Sequence, residues 1–532
     1  MRDHQYPGRS VVMSTHGMIS TSQPMATQVG LDVLKSGGNA MDAAIAASAT
    51  LCVTEAQSTG IGGDCFILYH EAKTGKLHGL NGSGRAPARA TLEEYRRRGL
   101  SEVPERGLLS VSVPGAIHGW EAALQRFGTR SLGDALQPAI AFAEEGYAVS
   151  PVVAWAWKRN EAVLRQTETS ARVFLKDGQT PPAGSLHRQP DLARSLRLIA
   201  KDGARAFYEG PIAKGIADYM RAHDGLLDEA DLAAHTSEWV EPIGTDYRGL
   251  RMYEIPPNGQ GITALIALNI LENTRLGEME HLSPDYLHTF TEAFKLAMAE
   301  RDTWVADMHY ADVPVEALLN KDYARQQFGR IDSAHAMPHP VTTGLNGGAP
   351  HRDTIYLTVV DKDRNCCSFI NSLYHNFGSG VIAGDTGVML QNRGSGFVLQ
   401  EGHPNCIAPG KRPMHTIIPA MVYRGQEPIL CFGVMGGHYQ AMGHSYVLTN
   451  WLDFGMDLQE ALDAPRFLPQ NGVLSVERPI PESTREVLRQ RGHTVVETET
   501  PHGGGQMIYI DAEAGVLQAG SDPRKDGCAM GY

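Results

Sequence analysis

No apolar run in these 532 residues approaches the length needed to cross a bilayer. The first thirty residues carry His4, Arg9, His16 and several serines in place of the apolar stretch of a signal peptide. Cytoplasm is therefore the expected compartment. Cysteine is sparse, with seven residues, an odd number, no CxxC and two adjacent at Cys366 and Cys367. That pattern argues against a disulfide framework or a zinc site and for a reducing compartment. Long runs of like charge are also missing, and the net charge of −13 is spread thinly. Neither nucleic acid nor an anionic membrane is expected as the main partner. There is no GxSxG elbow, no HExxH and no GxxxxGK[ST], and no repeat of fixed period.

What is present is a 42% hydrophobic composition, enough for a large core, with 57 glycines and 30 prolines for tight turns. Ser22-Gln23-Pro24 opens a helix that Gly37-Gly38 stops, and an Ala-rich helix follows from Asn39 to about Leu51. Gly60-Ile61-Gly62-Gly63 reads as a tight turn into a strand from Cys65 to His70; as a phosphate loop it is incomplete. A strand over Lys76–Asn81 leads to a glycine turn and Arg85, either a surface residue or a bidentate clamp for a carboxylate. Residues 130–300 read as mostly helical by periodicity. The tract from Ile331 to Asp353 has no period and reads as a linker. Its His335 and His339 are separated by Pro338, which disfavours a helical metal pair.

After this tract the texture changes. Thr354–Val360 and Cys366–Ser372 read as a hairpin, and further strands are expected at Ile417–Tyr423, Ile429–Gly433, Gln506–Ile510 and Val516–Ala519. Helices are expected from about Gln440 to Phe454 and over Leu458–Leu462. Strands and helices without a βαβ rhythm imply α+β layers. A flexible tract ending at the start of a strand suits a chain that is cut before Thr354. A threonine freed in this way carries its own base, because an α-amine titrates near ~8 against ~10.4 for lysine. Acyl transfer also needs an oxyanion hole, and Gly436-Gly437, after an expected strand, can offer adjacent backbone N–H groups.

The ordered blocks SGGNAMDAAIAA (36–47), TGIGG (59–63), SVPGAIHGW (112–120), DTIYLTVVD (353–361), FGSGVIAGDTGVMLQN (377–392), KRPMHTIIP (411–419), GVMGG (433–437), DAPRF (463–467) and SDPR (521–524) resemble the gamma-glutamyltransferase family of N-terminal-nucleophile (Ntn) hydrolases. The resemblance runs from about Ser20 to Tyr532. It implies a four-layer αββα fold and a proenzyme that cuts itself between Asp353 and Thr354. Residues 1–353 would become a large subunit and 354–532 a small one, together one intertwined domain. A dimer of such heterodimers stays open. Thr354 would be the nucleophile, Gly436 and Gly437 the oxyanion pair, and Ser372 matches a family threonine that assists. No cofactor and no metal are implied.

Several substrate positions depart from the family pattern. Tyr374 stands where an Asn is typical, Gly396 where an Asp binds the substrate's α-amino group, and His415 and Thr416 where two serines bind the α-carboxylate. The family's carboxylate-binding Arg aligns near Ser83, with Arg85 two residues on. Loss of an acidic partner weakens recognition of an α-ammonium. The chain therefore looks more like the acylase and oxamate amidohydrolase branch, with Arg85, Arg393 and His415 available for a small carboxylate. The readings are a gamma-glutamyl hydrolase or transferase, an amidase for another carboxylated amide, and an inactive binding protein on the same fold.

Overall fold

The computed structural model describes residues 8–338 and 354–532. From Thr354 the chain alternates between two buried faces. Ile355, Leu357 and Val359 join one apolar cluster, whereas Tyr356 and Val360 join another. The strand Ile355–Val360 is covered on both sides, and so is its partner Cys366–Ser372. The pairing is antiparallel, with Ile355 opposite Asn371 and Val360 opposite Cys366.

This hairpin is the middle of a seven-stranded sheet. Its order is Cys528–Gly531, Met18–Thr21, Ile355–Val360, Cys366–Ser372, Asp64–Glu71, Lys76–Gly82 and Glu238–Val240. A second seven-stranded sheet runs Val12–Ser14, Val516–Ser521, Gly504–Asp511, Glu427–Met435, Ala420–Arg424, Leu250–Glu254 and Ile243–Tyr247. Both sheets draw strands from before and after Thr354.

Met18, Phe66, Tyr356, Ile370, Met421, Met435 and Ile508 pack the sheets together. Outside the first sheet lie helices that include Pro24–Lys35, Ala40–Thr54 and Ala116–Phe127. Gly261–Leu271, Pro284–Trp304 and Tyr439–Leu452 cover the second. The layers are thus αββα, an α+β fold. The Ala-rich helix has every residue buried and starts at a reciprocal Asn39–Asp42 cap, so small side chains allow close packing on both of its sides.

The expectation of a mostly helical 130–300 fails at Glu238–Glu254, where Glu238–Val240 forms the edge of the first sheet and Leu250–Glu254 and Ile243–Tyr247 form the last two strands of the second. The strand expected from Ile417 begins at Ala420. Residues 411–419 before it are irregular backbone, which leaves His415 and Thr416 on a loop. Of the expected linker, residues 331–338 are irregular, with Ala336 N–H bonded to the Arg491 carbonyl. His335 lies 3.2 Å from Asp332, and His339 and Asp353 fall outside the described residues.

Candidate active site

Thr354 precedes Ile355 by one residue, and Ser372 follows Asn371 by one. The hairpin register therefore sets the two directly across from each other, on the face that looks toward the second sheet. Both are fully buried, and their hydroxyl oxygens share a hydrogen bond at 3.0 Å. Ser372 Oγ also accepts the Tyr374 N–H at 2.8 Å. That bond holds Tyr374 at φ 82, a left-handed conformation that costs a bulky residue about 1–2 kcal/mol.

The Arg393 guanidinium lies 3.9 Å from the centre of the Tyr374 ring, and its NH1 donates to Thr416 Oγ1 at 2.8 Å. The Thr416 carbonyl accepts from Gln260 Nε2 at 2.8 Å, and the same nitrogen donates to the Gly437 carbonyl at 2.9 Å. Gly436 and Gly437 sit at φ 122 and φ 61, conformations that glycine adopts without strain. A Cβ on Gly436 would lie 2.8 Å from Gly503 Cα. The helix Tyr439–Leu452 starts immediately beyond, so its positive end adds to the field at this loop. Gln440, in its first turn, points Nε2 back at Thr354 Oγ1 at 3.5 Å. The contacts thus close a ring through Thr354, Ser372, Tyr374, Arg393, Thr416, Gln260, Gly437 and Gln440.

A second set of bonds supports the ring. Asp64 lies opposite Ser372 on the strand to its other side. Its Oδ1 accepts from Gly84 N, Gly115 N and Gln391 Nε2, and its Oδ2 accepts from His415 Nε2 at 3.0 Å. Ile417 N–H donates to His415 Nδ1, which leaves the imidazole proton on Nε2, facing Asp64. Burial pushes the Asp64 carboxyl up to about 6, against the pull of Arg393 and of its donors. Burial, and then the Arg393 charge, push His415 well below the usual histidine range, so it is neutral.

Of the residues singled out in the sequence, Thr354, Ser372, Tyr374, Arg393, Thr416 and Gly437 are brought together, with Gly436 beside them. Arg85 is placed elsewhere: its NH1 donates to the Gly410 carbonyl and lies 3.8 Å from Asp307. Ser83 is tied through Asn258, whose carbonyl accepts the His415 N–H and whose side chain donates to the Pro413 carbonyl. The sequence reading missed Asp64, Gln260 and Gln440. Gln440 had a visible signal, three residues past Gly437 at a helix start. A cluster elsewhere, His288, Glu292 and His493, has metal-ligand chemistry. Lys295 already holds Glu292 at 2.6 Å, so an ammonium supplies the cation there.

The profile described as Gamma-glutamyltranspeptidase matches residues 26–532. The chain belongs to that family. Among curated relatives it is 40% identical to the glutathione hydrolase-like YwrD proenzyme of Bacillus subtilis, over 98% of this chain and 99% of that one. It is 33% identical to the oxamate amidohydrolase proenzyme of Klebsiella pneumoniae, with the same coverage. Among solved structures, cephalosporin acylase from Bacillus halodurans superposes with a TM-score of 0.93 at 41% identity, covering 100% of this chain and 99% of that one. As a member of the gamma-glutamyltranspeptidase family the chain is an amidase or acyltransferase, and the proenzyme names of its relatives fit self-processing.

Proposed function

We propose that the protein cuts itself at Asp353–Thr354 and then hydrolyses small amides whose acyl part carries a carboxylate but no free α-amino group. The observation that carries this reading is the buried guanidinium of Arg393, stacked on Tyr374 and hydrogen-bonded to Thr416, in the ring that holds Thr354. A guanidinium is suited to receive a carboxylate. Gly396, which aligns with the family's ammonium-binding acid, offers no side chain, and the carboxylate of Asp64 is taken up by His415.

In this reading the freed α-amine of Thr354 takes the proton from Oγ1, which attacks the amide carbonyl. The N–H groups of Gly436 and Gly437 receive the developing oxyanion, and Ser372 steadies Oγ1 through their shared hydrogen bond. The leaving amine collects the proton, and water then releases the acyl group from Thr354. The oxamate amidohydrolase and cephalosporin acylase relatives support a substrate of this class. A reducing compartment such as the cytoplasm belongs to the same proposal, supported by seven cysteines that are all free thiols.

The test compares oxamate, glutaryl-p-nitroanilide and gamma-glutamyl-p-nitroanilide on the processed protein. The last two differ only in the α-amino group. Turnover of oxamate or of the glutaryl amide with a kcat/KM at least about tenfold above that of the gamma-glutamyl amide is expected, the worth of one charge-assisted contact. Preference for the gamma-glutamyl amide would overturn the reading.

A further inference from the structure

We propose that Arg301 is a positioning residue for the Gly436-Gly437 loop, which it holds in the form that receives the oxyanion by way of Gln260 and His438. The inference rests on the reading above, in which those two glycine N–H groups meet the oxyanion. Consecutive glycines let a substrate come close, but they leave the loop with little stiffness of its own. The helix beyond supplies two bonds, from Tyr439 N–H to the Gly436 carbonyl at 3.1 Å and from Gln440 N–H to the Gly437 carbonyl at 3.2 Å. A further hold on Gly437 comes from outside that helix, and it leads back to Arg301.

Arg301 lies in the last turn of the helix Pro284–Trp304 and is buried. Its Nε and NH2 both donate to Asp302 Oδ1, at 2.8 and 2.6 Å, which fixes the guanidinium in place and balances its charge. NH1 donates to Gln260 Oε1 and to His438 Nδ1, each at 2.9 Å. A guanidinium has donors only, so the Gln260 amide turns its oxygen toward Arg301 and its nitrogen the other way. That nitrogen is the one that donates to the Thr416 and Gly437 carbonyls.

Turned over, the amide would set its oxygen against those two carbonyls, and the hold on Gly437 would be lost. The backbone of Gln260 is fixed as well, since its N–H donates to the His415 carbonyl at 2.8 Å. Gly437 thus sits between two groups gripped by one nitrogen of Arg301. Gln260 holds its carbonyl, and His438 is the next residue in the chain. Arg301 acts on the reaction through these two and takes no part in the bond making.

The experiment uses the processed protein, with values normalised to the processed fraction on a denaturing gel. The probe is carboxypropylboronic acid, which is glutaric acid with a boronic acid group in place of one carboxyl. Its trigonal boron accepts Thr354 Oγ1, the hydroxyl proton passes to the α-amine, and the tetrahedral anion that forms mimics the oxyanion. Pentanoate, with a methyl in place of the boronic acid, is the control. Both carry the same carboxylate, so a disturbance passed to Thr416 cancels in the ratio of their inhibition constants. The native protein should bind the boronate at least about 100-fold more tightly than pentanoate. Arg301→Met should cut that ratio by about tenfold or more, and lower kcat on the amide that is turned over by a similar factor. Gln260→Met should do the same, and the double variant should fall little further than the worse single, since the two act in series. Arg301→Lys keeps a charge beside Asp302 but lacks the fork that grips Gln260 and His438 together, so its ratio should drop by about threefold or more. A native ratio in Arg301→Met or Arg301→Lys, or single losses that multiply in the double variant, overturns the role of Arg301 alone. If the native protein binds the boronate no better than pentanoate, the oxyanion reading of the loop falls, and this inference with it. Arg301→Lys decides the matter even where Arg301→Met does not fold.

Discussion

At the scale of single residues, the site is governed by how little freedom Thr354 has. Its hydroxyl is buried, opposite Ser372 and within reach of Gln440, and one more methyl or one less oxygen changes the chemistry. In the proposed mechanism Thr354→Ala removes the oxygen that attacks. That variant should stay a single band of about 57.8 kDa on a denaturing gel and show no amidase activity. Thr354→Ser keeps the oxygen and loses the β-branch that fixes χ1, so it should still process, more slowly, and retain a reduced kcat. Full processing or normal turnover in Thr354→Ala would remove Thr354 from the mechanism. The same scale shows what composition and motif can reveal. Thr354, Gly436 and Gly437 were singled out because a free threonine amine and adjacent glycines have a chemistry of their own and the family blocks around them point to the same residues. Asp64 and Gln260 were not, because each acts through partners more than 150 positions away, Asp64 on His415 and Gln260 on Thr416 and Gly437.

Between elements, the decisive contact is the one that seats the two sheets on each other beside the site. Gly433 faces the Tyr356 ring so closely that a Cβ there would lie 2.4 Å from Tyr356 Cε2. The ring cannot simply turn away, because its hydroxyl shares a hydrogen bond with Ser368 Oγ at 2.6 Å. Gly433→Ala should therefore part the sheets locally, at a cost of about 1–3 kcal/mol in urea denaturation. Gly433 lies on the strand that delivers Gly436 and Gly437, so kcat should fall with it. An unchanged unfolding midpoint would mean that the intersheet packing is looser than these distances imply. Strands of this region were legible in the sequence, since alternation over five or more residues is a strong local pattern. Met18–Thr21 and Cys528–Gly531 were not. Each is four residues long and exists because the two chain ends pair in one sheet, Thr21 with Cys528, a choice made by tertiary contact and not by local pattern. The strands at Glu238–Glu254 were obscured in the same way among long helical segments.

For the molecule as a whole, what matters is that both sheets take strands from either side of Thr354, so a cut there leaves two chains that cannot part without dismantling both sheets. The part after Thr354 is further locked by a buried charge knot formed by the DAPRF and SDPR blocks. Arg466 pairs with Asp522 at zero exposure, and Arg524 bonds Glu477 and Asp522. Arg466 also donates to the His502 carbonyl, and the His502 ring stacks on Tyr439, at the start of the helix that carries Gln440. The knot thus braces the Gly436-Gly437 loop from behind. Burial alone would push the Asp522 carboxyl up, but the charges of Arg466 and Arg524 and its hydrogen bonds outweigh that and hold it below the usual value. A carboxyl depressed in the folded state adds stability above its unfolded pKa of ~3.9, and that share is lost as pH falls toward the folded value. Asp522→Ala leaves two buried guanidinium groups without their shared partner and should cost about 3–5 kcal/mol at neutral pH, read from the urea midpoint. The loss should shrink as the native protein is acidified below about pH 4, because protonation there already takes away the charge that the substitution removes. Combining Asp522→Ala with Arg466→Met should recover part of the stability, since a buried ion pair replaced by apolar groups costs far less than one that is half removed. A double variant no more stable than Asp522→Ala would show that Arg466 acts through its bonds to the Leu462 and His502 carbonyls and not through its charge.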